Sequence, residues 1–315
     1  MTLVIATRSS ELALRQARQV QRALAGAGVA SELKTYKTIG DKRLDEPLSA
    51  IGAKGLFTKE LETDLGKGKV QCCVHSLKDL PTDMPPGLEV IALLPREDPR
   101  DVLVANSIIG ASSLAELPPG SRVGTSSLRR RAQLHAARPD LDVVELRGNV
   151  PTRLRKVDDG HVHAAILAAA GLHRLDATQR ITAYLDAPAW LPAAGQGAIA
   201  IQIRADDAGT REIVEPLGDR LTMLHTRAER AFLGALEGGC QVPIGALVVC
   251  NGPPTLHGFI ADVRGTRLLR AALPLDEAQP ELTGVRLANE LRHRGASEIL
   301  EGLRRADHLP APQPE

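Results

Sequence analysis

The sequence predicts two α/β units followed by a small α+β domain. Up to about residue 217, short apolar runs alternate with helical patterns, which is typical of α/β folds with parallel sheets. From about Gly218 the order changes to a long helical pattern, three alternating runs and a final helical pattern. The chain has 315 residues, enough for two or three domains at about 100–200 residues each.

The first unit begins with an apolar run at residues 3–6, which predicts a strand. An amphipathic pattern over residues 11–25 predicts a helix that Ser9 or Ser10 would cap. Further apolar runs predict strands at residues 31–36, 70–75 and 88–94.

The second unit covers about residues 98–190. Apolar runs predict strands at residues 102–105, 122–124 and 142–146, and helical patterns follow at residues 127–138 and 150–158. Residues 164–168 form either a buried strand or a helix, because periodicity alone does not separate the two for a short apolar run. The run at residues 198–203 follows two glycines and predicts a strand that returns after both units.

The last part of the chain has a helix, strands, helix order. A helix is predicted at residues 221–236, strands at 245–249, 256–263 and 268–272, and one final helix at about 284–301. The Pro-rich residues 310–315 are expected to be a disordered tail.

Composition excludes several classes of protein. Lys and Arg total 39 against 38 Asp and Glu, and this net charge of +1 excludes a globally basic nucleic-acid coat. Four cysteines without zinc spacing predict neither a disulfide framework nor a metal site. We find no signal-peptide pattern and no uncharged run near the ~18 residues that span a bilayer. A cytoplasmic protein without a bound metal, membrane or nucleic acid is therefore expected.

Two predicted helix starts combine small hydroxyl residues with arginine. Residues 6–10 read ATRSS and residues 124–131 read GTSSLRRR. Because a helix N-terminus presents unpaired N–H groups and a partial positive charge, both are candidate anion sites. Plain N-capping is the alternative for either one alone. Their occurrence together favours an anion bound between the two units.

Residues 121–156 carry a local charge of +6, from nine basic and three acidic side chains. A solvated helix face or a nucleic-acid patch would also explain this excess, but no helix-turn-helix, RNA-recognition or zinc-finger pattern accompanies it. The Gly-rich pieces match neither GxGxxG nor GxxxxGKS, which argues against a nucleotide site. A polycarboxylate or phosphate ligand fits better.

Three further segments carry reactive side chains. His75, Ser76, Lys78 and Asp79 follow an apolar strand, where ligands sit in α/β sheets, although helix capping and a semi-buried histidine are plain alternatives. In LEGGCQVPIG, the Gly-Gly pair before Cys240 favours a tethering or nucleophilic thiol. Lys54 and Lys59, on or beside a lid-like loop over residues 40–60, could reach an anion, with solvated loop lysines as the alternative. Cys72, Cys73 and Cys250 sit in apolar runs and are expected to be core residues.

Eight segments occur in the order found in one enzyme family: ATRSSELAL, GAKGLFTKELE, VHSLKDLP, GTSSLRR, LRGNVPTRL, AAGLHRL, AAGQGA and LEGGCQVPIG. The chain resembles the hydroxymethylbilane synthase family, also called porphobilinogen deaminases. The resemblance implies two α/β domains of the type 2 periplasmic-binding-protein kind with a cleft between them, plus a small third domain. The implied domains are residues 1–97 with 198–217, residues 98–197, and residues 218–315.

The resemblance also implies the reaction and its cofactor. A cysteine on the third domain, here Cys240, carries a covalent dipyrromethane built from the enzyme's own substrate. Four porphobilinogen molecules are added head to tail to this primer with loss of ammonia, and hydrolysis releases hydroxymethylbilane. The matching catalytic aspartate is Asp79, which would hydrogen-bond pyrrole N–H groups and stabilise the cation formed when ammonia leaves. As in the family, a monomer is expected.

The remaining positions follow from the same motifs, since each pyrrole ring carries two carboxylates. Those expected to hold the cofactor are Ser76, Lys78, Thr125, Ser127, Arg129, Arg130 and Gln196. Those expected to bind substrate are Arg8, Ser10, Gln16, Lys54, Arg147, Arg153 and Arg174.

This chain departs from the family's common residues at four places: Glu11, Arg15, Ala53 and Gln71. None of these is an assigned site residue. Two other hypotheses remain at this level: a solute-binding module without activity, and a nucleic-acid binder that uses residues 121–156.

Overall fold

The computed structural model describes residues 2–38, 58–236 and 242–305. Its strands are β1 (Leu3–Arg8), β2 (Ser31–Tyr36), β3 (Cys72–Ser76), β4 (Leu88–Leu93), β5 (Asp101–Ala105), β6 (Arg122–Gly124), β7 (Asp142–Val144), β8 (Ala164–Ala168), β9 (Ala183–Leu185), β10 (Ile199–Arg204), β11 (Ile244–Val249), β12 (Thr255–Ala261) and β13 (Leu268–Pro274). Its α-helices are α1 (Glu11–Gly26), α2 (Lys59–Gly66), α3 (Leu128–Ala137), α4 (Val150–Asp158), α5 (Ala169–Arg174), α6 (Ala208–Val214), α7 (Arg220–Ala235), α8 (Pro280–Leu291) and α9 (Ser297–Arg305).

Two five-stranded sheets repeat one arrangement. The first has the order β2-β1-β3-β10-β4 and the second the order β7-β6-β8-β5-β9. In each sheet the first three strands are parallel, and the fourth is antiparallel to both of its neighbours. The predicted α/β class is thus confirmed, and each sheet contains antiparallel pairs in addition to the expected parallel ones. The fourth strands, β10 and β5, each enter from the other unit, and therefore run in the opposite direction.

The chain crosses between the two sheets twice, and the two crossings contact each other. The Glu97 amide donates to the Gly197 carbonyl at 3.2 Å. Gly197 has φ +90°, and a Cβ there would lie 2.3 Å from the Glu97 carbonyl oxygen. Only glycine therefore allows the crossings to approach this closely.

Each sheet is covered by helices that bury one apolar face. In the first unit, Val20 and Leu24 of α1 pack with Leu3, Ile5 and Ile201 of the sheet. Helix α1 begins at the predicted residue, because the Ser10 hydroxyl accepts a hydrogen bond from the Ala13 amide at 3.4 Å. The ambiguous run at residues 164–168 is strand β8, in the centre of the second sheet.

The C-terminal part is the predicted small α+β domain. Helices α7 and α8 pack against the antiparallel sheet β11-β12-β13 around Phe232 and Leu287. The single final helix expected at residues 284–301 is wrong, since α8 and α9 are separate and the segment between them contains Gly295 at φ +101°. That left-handed conformation ends an α-helix.

No helix within the described ranges is long and apolar enough to cross a membrane. In that same part of the chain no group of three His, Cys, Asp or Glu side chains could hold a metal ion.

Candidate functional site

A short turn at the end of β3 presents the Lys78–Asp79 pair. Strand β3 lies in the middle of the first sheet, and residues Leu77–Asp79 follow it as one 3-10 turn. Leu77 and Leu80 are buried, while Lys78 and Asp79 remain partly exposed. The two buried leucines pack into the core and fix the backbone of the turn, which positions Lys78 and Asp79.

Lys78 lies where its charge is costly. Burial, together with the nearby positive charge of Arg130, lowers the pKa of Lys78 to about 8, although Asp79 and Asp101 oppose this effect. Its Nζ donates to Oε1 of Gln196 at 3.2 Å. The lysine therefore lies between the two units, since Gln196 belongs to the second crossing.

Arg153 comes from the second unit and interacts electrostatically with Asp79. Burial, reinforced by Arg130 and Arg147, lowers the pKa of Arg153 to about 10, and the charge of Asp79 acts in the opposite direction. Its Nε donates to the Gly148 carbonyl at 2.8 Å. The charge of Asp79 in one unit therefore interacts with the charge of Arg153 in the other.

Two helices of the second unit begin beside these arginines. Ser127 caps α3 by accepting from the Arg130 amide at 3.4 Å, and Thr125 accepts from the Ser127 amide at 3.2 Å. Asn149 caps α4 by accepting from the Thr152 amide. The capping alternative for Ser10 and Ser127 is therefore real, and both side chains serve helix structure whatever else they bind.

Arg129 and Arg130 are buried against a carboxylate that the sequence analysis did not single out. Asp101, the first residue of β5, accepts from Nη1 of Arg129 and from Nη2 of Arg130, both at 2.7 Å. The only local signal was an acidic residue at the edge of the apolar run 102–105.

Arg174 lies at the crossings. Its Nη2 donates to the Gly197 carbonyl at 2.7 Å, while its Nε is buried without a hydrogen-bond partner among the described residues. Burial lowers the pKa of Arg174 to about 10, although Glu97 opposes it.

On the opposite side, the first unit contributes Arg8, Ser10 and Gln16. Arg8 ends β1, and Gln16 donates through Nε2 to the Ser76 hydroxyl at 2.7 Å. Helix α1 thereby holds Ser76 next to the Lys78–Asp79 turn. The described hydrogen bonds join Gln16 to Ser76 within the first unit and Lys78 to Gln196 across the two units.

Other expectations have mixed outcomes. Lys54 and Cys240 lie outside the described residues. His75 is buried and its Nε2 lies 3.1 Å from Oε1 of Gln202, which fits a hydrogen-bonded histidine rather than a reactive one.

Cys72 and Cys73 are buried as expected, but Cys250 is exposed. The expectation of a core position for Cys250 is wrong because β11 ends at Val249.

The site's charge balance suits a ligand with several carboxylates. Lys78, Arg153 and Arg174 all have lowered pKa values because burial disfavours their charged forms. An anionic ligand would relieve that penalty, and the buried Nε of Arg174 is a donor that such a ligand could satisfy. The residues present therefore fit a dipyrromethane, whose two rings carry four carboxylates.

The fold and site define an α/β protein with buried basic side chains from two sheet-containing units and a small additional domain. Residues 3–212 match the family model described as "Porphobilinogen deaminase, dipyromethane cofactor binding domain", and residues 223–293 match "Porphobilinogen deaminase, C-terminal domain". The chain belongs to the porphobilinogen deaminase family. It is an enzyme of the transferase class, with the hydroxymethylbilane synthase function in tetrapyrrole biosynthesis and a dipyrromethane cofactor.

Several relatives match along almost their whole length. The porphobilinogen deaminase of Syntrophobacter fumaroxidans is 48% identical over 305 residues, which cover 96% of this chain and 98% of that protein. That of Moorella thermoacetica is 50% identical, with 94% and 95% covered. The solved structure of the methionine-binding protein MetQ covers 75% of this chain and 94% of its own, at 14% identity and a TM-score of 0.44.

Proposed function

We propose that Asp79 is the catalytic carboxylate of the porphobilinogen deaminase reaction in this chain. The observation that carries the proposal is its place on the turn after β3, beside Lys78 and in electrostatic interaction with Arg153 of the other unit. No second carboxylate among the assigned site residues competes for the role.

Asp79 is proposed to act mainly by electrostatics. As the C–N bond of porphobilinogen breaks, nitrogen leaves as ammonia and positive charge develops on the pyrrole. A fixed carboxylate stabilises that charge and accepts a hydrogen bond from the pyrrole N–H. It also helps to move a proton to the departing amine.

When bound, the cofactor would supply the carbon that the first incoming ring joins, and the protein's part is to hold it. We propose Cys240 as its covalent attachment point. The groups proposed to bind its carboxylates are Ser76, Lys78, Thr125, Ser127, Arg129, Arg130 and Gln196. Hydroxyl and guanidinium donors near helix N-termini suit carboxylates because both are preorganised for anions.

Substrate carboxylates are proposed to bind the remaining basic and polar groups: Arg8, Ser10, Gln16, Lys54, Arg147, Arg153 and Arg174. Porphobilinogen is the substrate implied by the family. A monomer in the cytoplasm is proposed as its working form, with domains at residues 1–97 with 198–217, 98–197 and 218–315. The distribution of strands over three separate sheets supports these boundaries.

The role of Asp79 is tested by Asp79→Asn, which keeps the shape and removes the charge. Turnover, measured as ammonia release from porphobilinogen, is expected to fall by about 10²–10⁴-fold. Asp83→Asn is the matched control, since Asp83 is exposed four residues further along the same segment. Turnover of Asp79→Asn within threefold of the control would remove Asp79 from the mechanism.

A further inference from the structure

The Asp101 carboxylate accepts five hydrogen bonds and is fully shielded from solvent. Its Oδ1 accepts from Nε and Nη2 of Arg130, at 3.1 and 2.7 Å, and from Nε2 of Gln196 at 2.9 Å. Its Oδ2 accepts from Nη1 of Arg129 at 2.7 Å and from Nε1 of Trp190 at 2.8 Å. A buried charge is tolerated only with such pairing.

Electrostatics agrees with this geometry. Burial alone would raise the pKa of Asp101, but the guanidinium groups of Arg129 and Arg130 outweigh it and hold that pKa well below its usual range. The carboxylate is therefore charged throughout the pH range of an enzyme assay.

The same carboxylate fixes the orientation of both arginines. Nη1 of Arg129 also donates to the Leu191 carbonyl at 2.7 Å, and Nη1 of Arg130 donates to the Ile166 carbonyl at 2.9 Å. Each guanidinium is thus held between a backbone carbonyl and Asp101, which leaves little freedom to rotate.

Asp101 also decides which way the Gln196 amide points. A carboxylate accepts but cannot donate, so it selects the NH₂ end of the amide. Nε2 of Gln196 therefore faces Asp101 and the Pro99 carbonyl, and Oε1 is left to accept from Lys78. A neutral amide at position 101 would lose this selection.

We propose that Asp101 is a positioning residue for the reaction, holding Arg129 and Arg130 directly and Lys78 through the amide of Gln196. The inference rests on the proposed function, because it assumes that these three cations bind ligand carboxylates. Asp101 begins β5 directly after the first crossing, so one side chain orients basic groups of both units.

The central variant is Asp101→Asn, with Asp140→Asn as its control. Asp140 also accepts two hydrogen bonds from one arginine, Arg138, but lies on the surface. Because Arg129, Arg130 and Lys78 are proposed to hold the cofactor, Asp101→Asn is expected to lower kcat for ammonia release at least tenfold, whereas Asp140→Asn stays within twofold. Equal kcat values for both variants would contradict the proposal.

A pH-dependent readout separates positioning from general stability. The charged groups that face Lys78 are Asp79 beside it, Arg129 and Arg130 from α3, and Asp101 from β5. Removing the charge of Asp101 leaves the positive charges of Arg129 and Arg130 less neutralised. These charges then disfavour the protonated form of Lys78 more strongly, so its deprotonation midpoint falls to lower pH. Asp101→Glu keeps the charge and is expected to restore that midpoint even where kcat stays low.

This midpoint is measurable without turnover. Competitive acetylation of the purified protein at a series of pH values, followed by peptide mass spectrometry, gives the reactivity of Lys78, with exposed Lys67 as internal control. A lower midpoint for Lys78 in Asp101→Asn, with Lys67 unchanged, supports the inference. Identical midpoints in Asp101→Asn and the unaltered protein would overturn it.

If Asp101→Asn does not fold, Trp190→Phe provides the test, because it removes one neutral donor from Oδ2 and keeps the ring. The kcat is then expected to fall two- to tenfold with KM and the Lys78 midpoint unchanged, and an unchanged kcat would contradict the proposal. Failure of the proposed function is distinguishable: the unaltered protein would then release no ammonia from porphobilinogen.

Discussion

At the scale of single residues, His75 is a buried base close to the site that takes no part in the proposed chemistry. It is 6% exposed and pairs with Gln202, which in turn donates to Glu62 at 3.0 Å. Burial lowers the pKa of His75 to about 4. The hydrogen bond to Gln202 opposes this lowering, and the charge of Arg8 adds a smaller contribution to it. The folded state therefore favours the neutral form of His75.

The consequence is a pH-dependent stability. Between about pH 4 and 6.5 the unfolded chain binds a proton at His75 that the folded chain does not, so the free energy of unfolding falls as the pH falls through this window. The total contribution is about 3 kcal/mol at 1.36 kcal/mol per pKa unit. His75→Gln is expected to flatten this part of the curve in urea unfolding at several pH values.

The control for that experiment is His161→Gln, since His161 is exposed. Its curve should keep the full slope of the unaltered protein. A His75→Gln curve with the same slope as the control would show that another group causes the loss of stability in acid.

The position of Asp101 shows why the net charge of residues 121–156, counted along the sequence, overestimated the positive charge of this part of the site. The +6 of residues 121–156 includes Arg129 and Arg130, whose partner lies 28 and 29 residues earlier in the chain. Arg138 is likewise paired with Asp140 and with three backbone carbonyls. Within that stretch Arg147 and Arg153 are the proposed substrate-binding arginines, and Lys78 adds a cation from a separate segment of the chain.

At the scale of elements, the crossings depend on Gly197. Gly197→Ala combines an unfavourable φ with a Cβ 2.3 Å from the Glu97 carbonyl oxygen, so the backbone must move. We expect a loss of about 2–4 kcal/mol in the free energy of unfolding, measured by urea denaturation.

Two control variants divide this effect. Gly160→Ala has a similar φ of +71° but no atom within 4 Å, and reports backbone strain alone. Gly209→Ala lies within helix α6 and should be neutral or stabilising. A Gly197→Ala loss no larger than that of Gly160→Ala would show that the close approach of the crossings costs nothing.

Local patterns predicted most elements to within a few residues, including α4 and β2 at their observed bounds. They did not predict strand direction, because β5 and β10 are reversed by chain crossings that leave no mark in hydrophobic periodicity. Nor did they find α2, whose eight residues directly follow a Gly-rich segment read as a loop.

At the scale of the whole molecule, the third domain is joined to the crossings by a buried ion pair. Glu229 of α7 accepts from Nη1 and Nη2 of Arg96 at 2.7 and 2.9 Å, and from the Gly195 amide at 2.8 Å. Nε of Arg96 donates to the Gln196 carbonyl at 2.8 Å. The domain proposed to carry Cys240 is therefore tied to the residue that orients Lys78.

The candidate site could be assembled from the sequence only through the family motifs. Residue types and spacing indicated an anion site, and the motif order indicated which anion. Neither the residue pattern nor the motif order identified the buried carboxylates Asp101 and Glu229, since their roles depend on contacts between segments 28 to 133 residues apart.

The mass of the denatured protein is the most direct test of whether Cys240 carries a covalent dipyrromethane, because chain growth needs a primer bound to that cysteine. The unaltered chain should exceed its sequence mass by two porphobilinogen units less two molecules of ammonia, and Cys240→Ser should show the sequence mass of that variant with no turnover. A fully active protein whose denatured mass equals that of the bare chain would show that Cys240 carries no primer.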